Sequence, residues 1–102
     1  MSKLVTADVR LLDGMAFEAH SDSGYVLRLD ASKEAGGAAS GMRPIELLLL
    51  GLGGCTGMDV IGILRKMRQN VTGYELHVRG ERRDEHPMVF TRIAVEHVVA
   101  GP

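Results

Sequence analysis

Apolar and polar positions alternate in two separate regions of this chain, and a long, almost unbroken apolar stretch lies between them. Val5 to Leu12 is rich in Val and Leu, Asp13-Gly14 is a strong turn signal, and Met15 to His20 alternates apolar with small or polar residues. This predicts a hairpin. Ser21-Asp22-Ser23-Gly24 predicts a second turn and Tyr25 to Asp30 a third strand, completing a β-meander. From Ser32 to Met42 the residues SKEAGGAASGM are small and flexible, which predicts a mobile surface loop. Pro44 suits the first turn of a helix, Glu46 adds a favourable negative charge there, and the apolar residues that follow cover every face through Leu64. The last turn, Arg65 to Asn70, is cationic, with Asn70 and Gly73 as the stop. Tyr74 to Arg79 and Phe90 to Val99 alternate with period two around the turn DEHPM, Asp84 to Met88, and predict a second antiparallel pair.

The predicted order is therefore β-β-β-α-β-β. It is an α+β fold with antiparallel sheet packed on a central apolar helix, in one domain over residues 1–102, with no internal repeat. A helix apolar all round must be surrounded, and five strands cannot cover it in so small a monomer. A partner chain or further residues should supply the remaining cover. The uncharged stretch from Leu47 to Met58 is only about a dozen residues, with Glu46, Asp59 and Arg65 around it, so the helix reads as buried in protein and no membrane partner is expected.

Composition changes this picture little. The chain has 102 residues, 45% of them hydrophobic and 25% charged, with a formal net charge of -1, which suits an ordinary soluble protein and excludes wholesale disorder. Twelve Lys and Arg are scattered among thirteen acids, and aromatics are few, so nucleic acid is not an expected partner. One cysteine cannot form an internal disulfide, and the N-terminus lacks the basic start and apolar run of a signal peptide, so a reducing cytoplasm is expected.

The candidate chemistry lies in GLGGCTGMDV, residues 51 to 60. Each glycine inside a helix costs about 1 kcal/mol relative to alanine, so Gly51, Gly53, Gly54, Gly57 and Gly62 together forfeit roughly 5 kcal/mol that some gain must offset. At helical spacing Gly51, Cys55, Met58 and Gly62 share one shallow face. Such a face admits close packing by another helix, with Cys55 a small core residue, or leaves a groove beside a reactive thiol. The stretch is not a phosphate loop, since no strand leads into it and the Gly-Lys-Ser/Thr ending is missing. An ordinary thiol is only a few per cent ionised at pH 7 and needs a cation to help it. Arg28, late in the third strand, and Arg43, just before the helix, are the candidates, against the plainer reading of each as a solvated surface charge. Asp59, one turn beyond Cys55, would oppose ionisation, and reads more simply as a partner for a backbone group or a cation. His20, His77, His86 and His97 fall on separate predicted elements without zinc spacing, so no metal and no cofactor are expected. Asn70-Val71-Thr72 matches a glycosylation sequon but reads more simply as a helix stop.

From RPIELLLLGLGGCTGMDVIGILRK through ERRDEHP to HVVAG, the residues from about Met42 to Gly101 resemble the OsmC/Ohr family of osmotically inducible and organic hydroperoxide resistance proteins. The resemblance is to the OsmC-like branch, with its Pro-x-Glu-Leu start and Gly-Gly-Cys centre. It implies an intertwined homodimer with the cysteine helices central and sites at the subunit interface. It also implies thiol-dependent reduction of organic hydroperoxides: one cysteine becomes a sulfenic acid, a second condenses with it to a disulfide, and a dithiol, in some members a lipoyl group on a protein, reduces that disulfide. Cys55 matches the attacking cysteine, and Arg28, in YVLRLD, is similar to the arginine that activates it. The second cysteine belongs to a later helix, so the resemblance implies a chain that stops short of it. The family's glutamate usually follows the proline directly. Here Ile45 stands in that place and Glu46 comes next, about 13 Å along a continuous helix from Cys55 and on its opposite face. Catalysis by Glu46 would require a helix break or a partner subunit. A different class of function uses the same fold, with the Leu- and Gly-lined groove binding an apolar small molecule and Cys55 serving as packing.

Overall fold

The computed structural model describes residues 3–83 and 90–102. The turn expected over Asp84 to Met88 lies outside the described residues. The elements are β1 (Ala7–Asp13), β2 (Ala16–Ser21), β3 (Val26–Leu29), a short 3₁₀ turn (Lys33–Ala35), α1 (Pro44–Lys66), β4 (Gly73–Arg82) and β5 (Phe90–Ala100). The α+β order of three strands, one helix and two strands is thus as the alternation predicts. Two compact units divide the chain, Met1–Leu47 and Leu48–Pro102.

In the first unit β1, β2 and β3 form an antiparallel meander in that spatial order. Asp8 pairs with His20, Leu11 with Phe17, and Phe17 in turn with Leu29, with an irregularity between Leu11 and Asp13 at the approach to the first turn. Gly14 takes a φ of 56° there, the left-handed backbone that the Asp-Gly pair supplies at little cost. Ala16, Leu29 and Asp30 are buried, while Val9 and Leu11 stay more than half exposed.

The segment after β3 is not the loose loop that its composition predicts. It wraps around the carboxylate of Asp30 and returns alongside β3, where Met42 N donates to Arg28 O at 3.2 Å and Asp30 N donates to Met42 O at 3.0 Å. Leu29 and Met42 form a parallel bridge. Gly41 is needed on this return path, because a Cβ there would lie 2.5 Å from Arg28 O. Small residues that look flexible in sequence are here the ones that let the backbone double back closely.

The first turn of α1 is held by a side-chain cap. Glu46 Oε1 accepts from the backbone N–H of Arg43 at 3.0 Å and from its Nε at 3.1 Å, the side-chain-to-backbone half of a capping box. Pro44, with no N–H to satisfy, fits directly inside it. The C-terminal stop falls earlier than Asn70 and Gly73. Gln69 N donates to Leu64 O and Arg68 N to Arg65 O, both at 3.0 Å, while Arg68 itself takes a φ of 58°. This is a Schellman ending with arginine in the position that glycine usually fills.

The second unit is one face of α1 on the β4–β5 ribbon. The ribbon is paired from Gly73 with Ala100 to Arg82 with Phe90, shifting register between Glu81 and Arg82. Tyr74, Leu76, Val78 and Gly80 are half-buried and alternate with exposed Glu75, His77, Arg79 and Glu81. Gly53 and Gly57 are the buried residues of the helix. A Cβ at Gly53 would lie 3.0 Å from Val78 Cγ2, and one at Gly57 3.0 Å from Leu76 Cδ1. These two glycines let the helix approach the strand closely.

Candidate functional site

The packing of Gly53 and Gly57 determines where Cys55 points. With 100° per residue, those two glycines centre one face of α1, and Gly51, Cys55, Met58 and Gly62 lie on the other. Cys55 is exposed, Met58 is 75% exposed, and a Cβ at Gly51, Gly54 or Gly62 would meet nothing within 4 Å among the described residues. Leu48 and Leu50 are also more than half exposed. The shallow face that the sequence predicts is therefore present and it carries the thiol. At 23 residues α1 is long and apolar enough to cross a bilayer by length and composition. Gly53 and Gly57 of that helix pack on the ribbon, and Asp59 places a charge on it.

Arg28 and Glu46 are placed by separate devices. Arg28, on β3, donates from Nε to Ser40 Oγ at 2.9 Å. Glu46 holds Arg43 at the helix start, and α1 is continuous from there to Lys66. Its two bonds from Arg43, backbone first, hold its carboxyl below the usual glutamate value. At 100° per residue, positions 46 and 55 of a continuous helix fall on opposite faces. Arg43, the other candidate cation, is committed to Glu46.

Sequence reasoning missed Asp30. Its carboxylate is 3% exposed and accepts four hydrogen bonds: from Ser40 Oγ at 2.6 Å, Ser40 N at 3.1 Å, Ala38 N at 3.3 Å and Ala31 N at 2.7 Å. The available signal was an acid closing an alternating strand just ahead of a run of small residues, a place where a carboxylate can gather backbone N–H groups. The Ser40 hydroxyl first, then its N–H, with Ala31 and Ala38, hold Asp30 at about 2, against an ordinary 3.8. Because the folded value is depressed, the loop's stabilisation is complete above the ordinary value and is lost as pH falls from about 4 toward 2. In an NMR acid titration the amides of Ala38 and Ser40 are expected to shift with a midpoint near 2; a midpoint near 4 would mean that the carboxylate is not clamped.

His20 and His97 serve locally. His20 Nε2 lies 2.5 Å from Glu18 Oε1, and Tyr74 OH lies 2.6 Å from His97 Nδ1 with the two rings stacked. The bond to His20 is the chief reason that the Glu18 carboxyl is held below its usual value. Among the described residues no three His, Cys, Asp or Glu gather as a metal site. Two open hollows on the β4–β5 ribbon are lined by Arg79, Glu81 and Arg92 and by His77 and Glu96; neither includes the thiol.

A three-strand, helix, two-strand α+β protein with a solitary thiol at the centre of its long helix is a narrow class. The chain belongs to the family of OsmC-like proteins, whose description matches residues 36–102. Protein YhfA of Escherichia coli (strain K12) is 37% identical over 95 residues, spanning 93% of this chain and 68% of that protein. Among solved structures, a hypothetical protein from Aquifex aeolicus VF5 is 28% identical with a TM-score of 0.80, over 96% of this chain and 67% of that one. An OsmC-like protein of unknown function from Vibrio cholerae, 18% identical, shares the fold with a TM-score of 0.81 over all of this chain and 78% of its own.

Proposed function

We propose that this protein is an OsmC-like, thiol-dependent reductant of organic hydroperoxides, with Cys55 as the attacking group. The observation that carries the reading is the position of Cys55, exposed at the centre of a helix face on which Gly51 and Gly62 leave open space among the described residues. In the reaction the Cys55 thiolate attacks one peroxide oxygen and the O–O bond breaks. The alkoxide leaves with a proton as the alcohol, and sulfur, oxidised by two electrons, becomes a sulfenic acid. A second thiol condenses with it, releasing water and forming a disulfide, and a dithiol such as a lipoyl group on a protein returns the cysteine to its thiol. Arg28 stabilises the thiolate. Glu46 caps α1 within its own chain and reaches a thiol only as the partner subunit's contribution.

The assembly proposed is a homodimer through the cysteine face of α1. Gly53 and Gly57 are accounted for by the ribbon, but Gly51 and Gly62, on the cysteine face, forfeit about 2 kcal/mol of helix propensity with no contact among the described residues. A second copy of the same flat face would supply that contact. With α1 covered in this way the protein is water-soluble and cytoplasmic.

The chemical step can be tested without a reductant. One equivalent of an alkyl hydroperoxide with dimedone present is expected to leave a dimedone adduct on Cys55, read by mass spectrometry, faster than on a free cysteine at the same pH. An adduct no faster than that of the free amino acid would leave Cys55 as a packing residue in a structural or small-molecule-binding dimer.

A further inference from the structure

We infer that Asp30 and Ser40 are positioning residues for Arg28, forming a carboxylate–hydroxyl–guanidinium relay that fixes the direction of the arginine. The inference rests on the role given to Arg28 above. Its geometry lies entirely within the first unit.

A lone arginine on a four-residue strand has several rotatable bonds and would spread its charge over many orientations. Here its Nε–H is used. It donates to Ser40 Oγ at 2.9 Å, and the Ser40 hydroxyl, its one proton already given to Asp30 Oδ2 at 2.6 Å, can only accept from Arg28. Asp30 is in turn immobile, since it is 3% exposed and tied to three backbone N–H groups. Direct pairing of Arg28 with Asp30 would consume the guanidinium's charge at its own carboxylate. Interposing the hydroxyl leaves the two terminal nitrogens of Arg28 free to face another anion while the Nε edge is held. Position 40 is built for this. Ser40 reaches Arg28 because the backbone at Gly41 passes so close to Arg28 O that no side chain fits, and because Met42 is bonded to the same strand.

The test uses the whole chain in four forms: wild type, Arg28→Ala, Ser40→Ala and Ser40→Thr. Two readouts are taken, solvent exchange of the Arg28 Nε–H by ¹⁵N NMR and the rate at which iodoacetamide alkylates Cys55 at pH 7. Dispersed β1–β3 amide signals serve as the check that each variant is folded. Loss of the hydroxyl in Ser40→Ala is expected to speed Nε–H exchange about tenfold or more, the scale of a hydrogen bond to a charged group. It is also expected to lower the alkylation rate most of the way to that of Arg28→Ala. Ser40→Thr, which keeps the hydroxyl, restores both. Unchanged exchange in Ser40→Ala overturns the inference, as does alkylation that falls in Arg28→Ala yet stays at the wild-type rate in Ser40→Ala. If Arg28→Ala alkylates as fast as wild type, the assignment of Arg28 to the thiol fails. The positioning role fails with it, while Nε–H exchange still reports whether Ser40 holds the guanidinium.

Discussion

Cys55→Ser is expected to lower alkyl hydroperoxide consumption in the presence of a dithiol by about 10³-fold or more, to the rate of the dithiol alone. Oxygen cannot take sulfur's place here. A serine hydroxyl stays protonated at neutral pH and cannot accept an oxygen atom to form the equivalent of a sulfenic acid. No other cysteine in the chain can take over, because Cys55 is the sole one. Turnover by this chain should be compared with that of a chain extended through a following helix, each alongside its serine variant. If the extended chain is no better than its own Cys55→Ser form, the enzyme reading is wrong. If the extended chain alone turns over, the resolving thiol is supplied from beyond Pro102.

The second large effect separates the two faces of α1. Gly53→Leu and Gly57→Leu push a branched side chain against Val78 and Leu76, where even a Cβ would lie at 3.0 Å. Overpacking of this kind costs about 1–3 kcal/mol, only partly offset by about 1 kcal/mol of better helix propensity. Gly53→Leu should be the worse of the two, because its neighbour Val78 is β-branched and stiff, whereas the end of Leu76 can swing aside. Gly62→Leu, on the cysteine face, meets nothing within 4 Å among the described residues and should stabilise the isolated helix, yet it is expected to convert the proposed homodimer to monomer, read by sedimentation. A Gly62→Leu protein that keeps its assembly state would show that the cysteine face is not the interface. Thermal melts and sedimentation on these three variants thus distinguish a ribbon-facing glycine from a partner-facing one.

Much of this fold can be read from alternation alone. The strands β1 to β5 and the helix announce themselves because period two and a continuous apolar run are properties of single residues in order. Which helical glycines matter for which surface cannot be read that way. Gly53 and Gly54 are adjacent and chemically identical, and only the position of β4 makes one a close contact and the other open. The helix stop was misplaced for a related reason: Gly73 and Asn70 are the residues expected to turn left-handed, but Arg68 takes that conformation once Leu64 and Arg65 offer their carbonyls. At the site, Cys55 was legible as the sole thiol among glycines, and Arg28 through family resemblance. Asp30 was not, because a buried carboxylate is recognised by the groups that converge on it, and four of its bonds come from residues up to ten positions away.

The return of residues 40–42 along β3 also bears on how the meander avoids self-association. The outer rim of a sheet presents backbone donors and acceptors to any extended chain that drifts by, and proteins suppress this with short or covered rim strands. β3 has only four residues, and its outward groups at Arg28 and Asp30 are already spent on Met42. Templated strand addition is thereby closed off on that side. Within the meander this leaves β1, with Val9 and Leu11 in the open, as the one rim where an extended chain could still add.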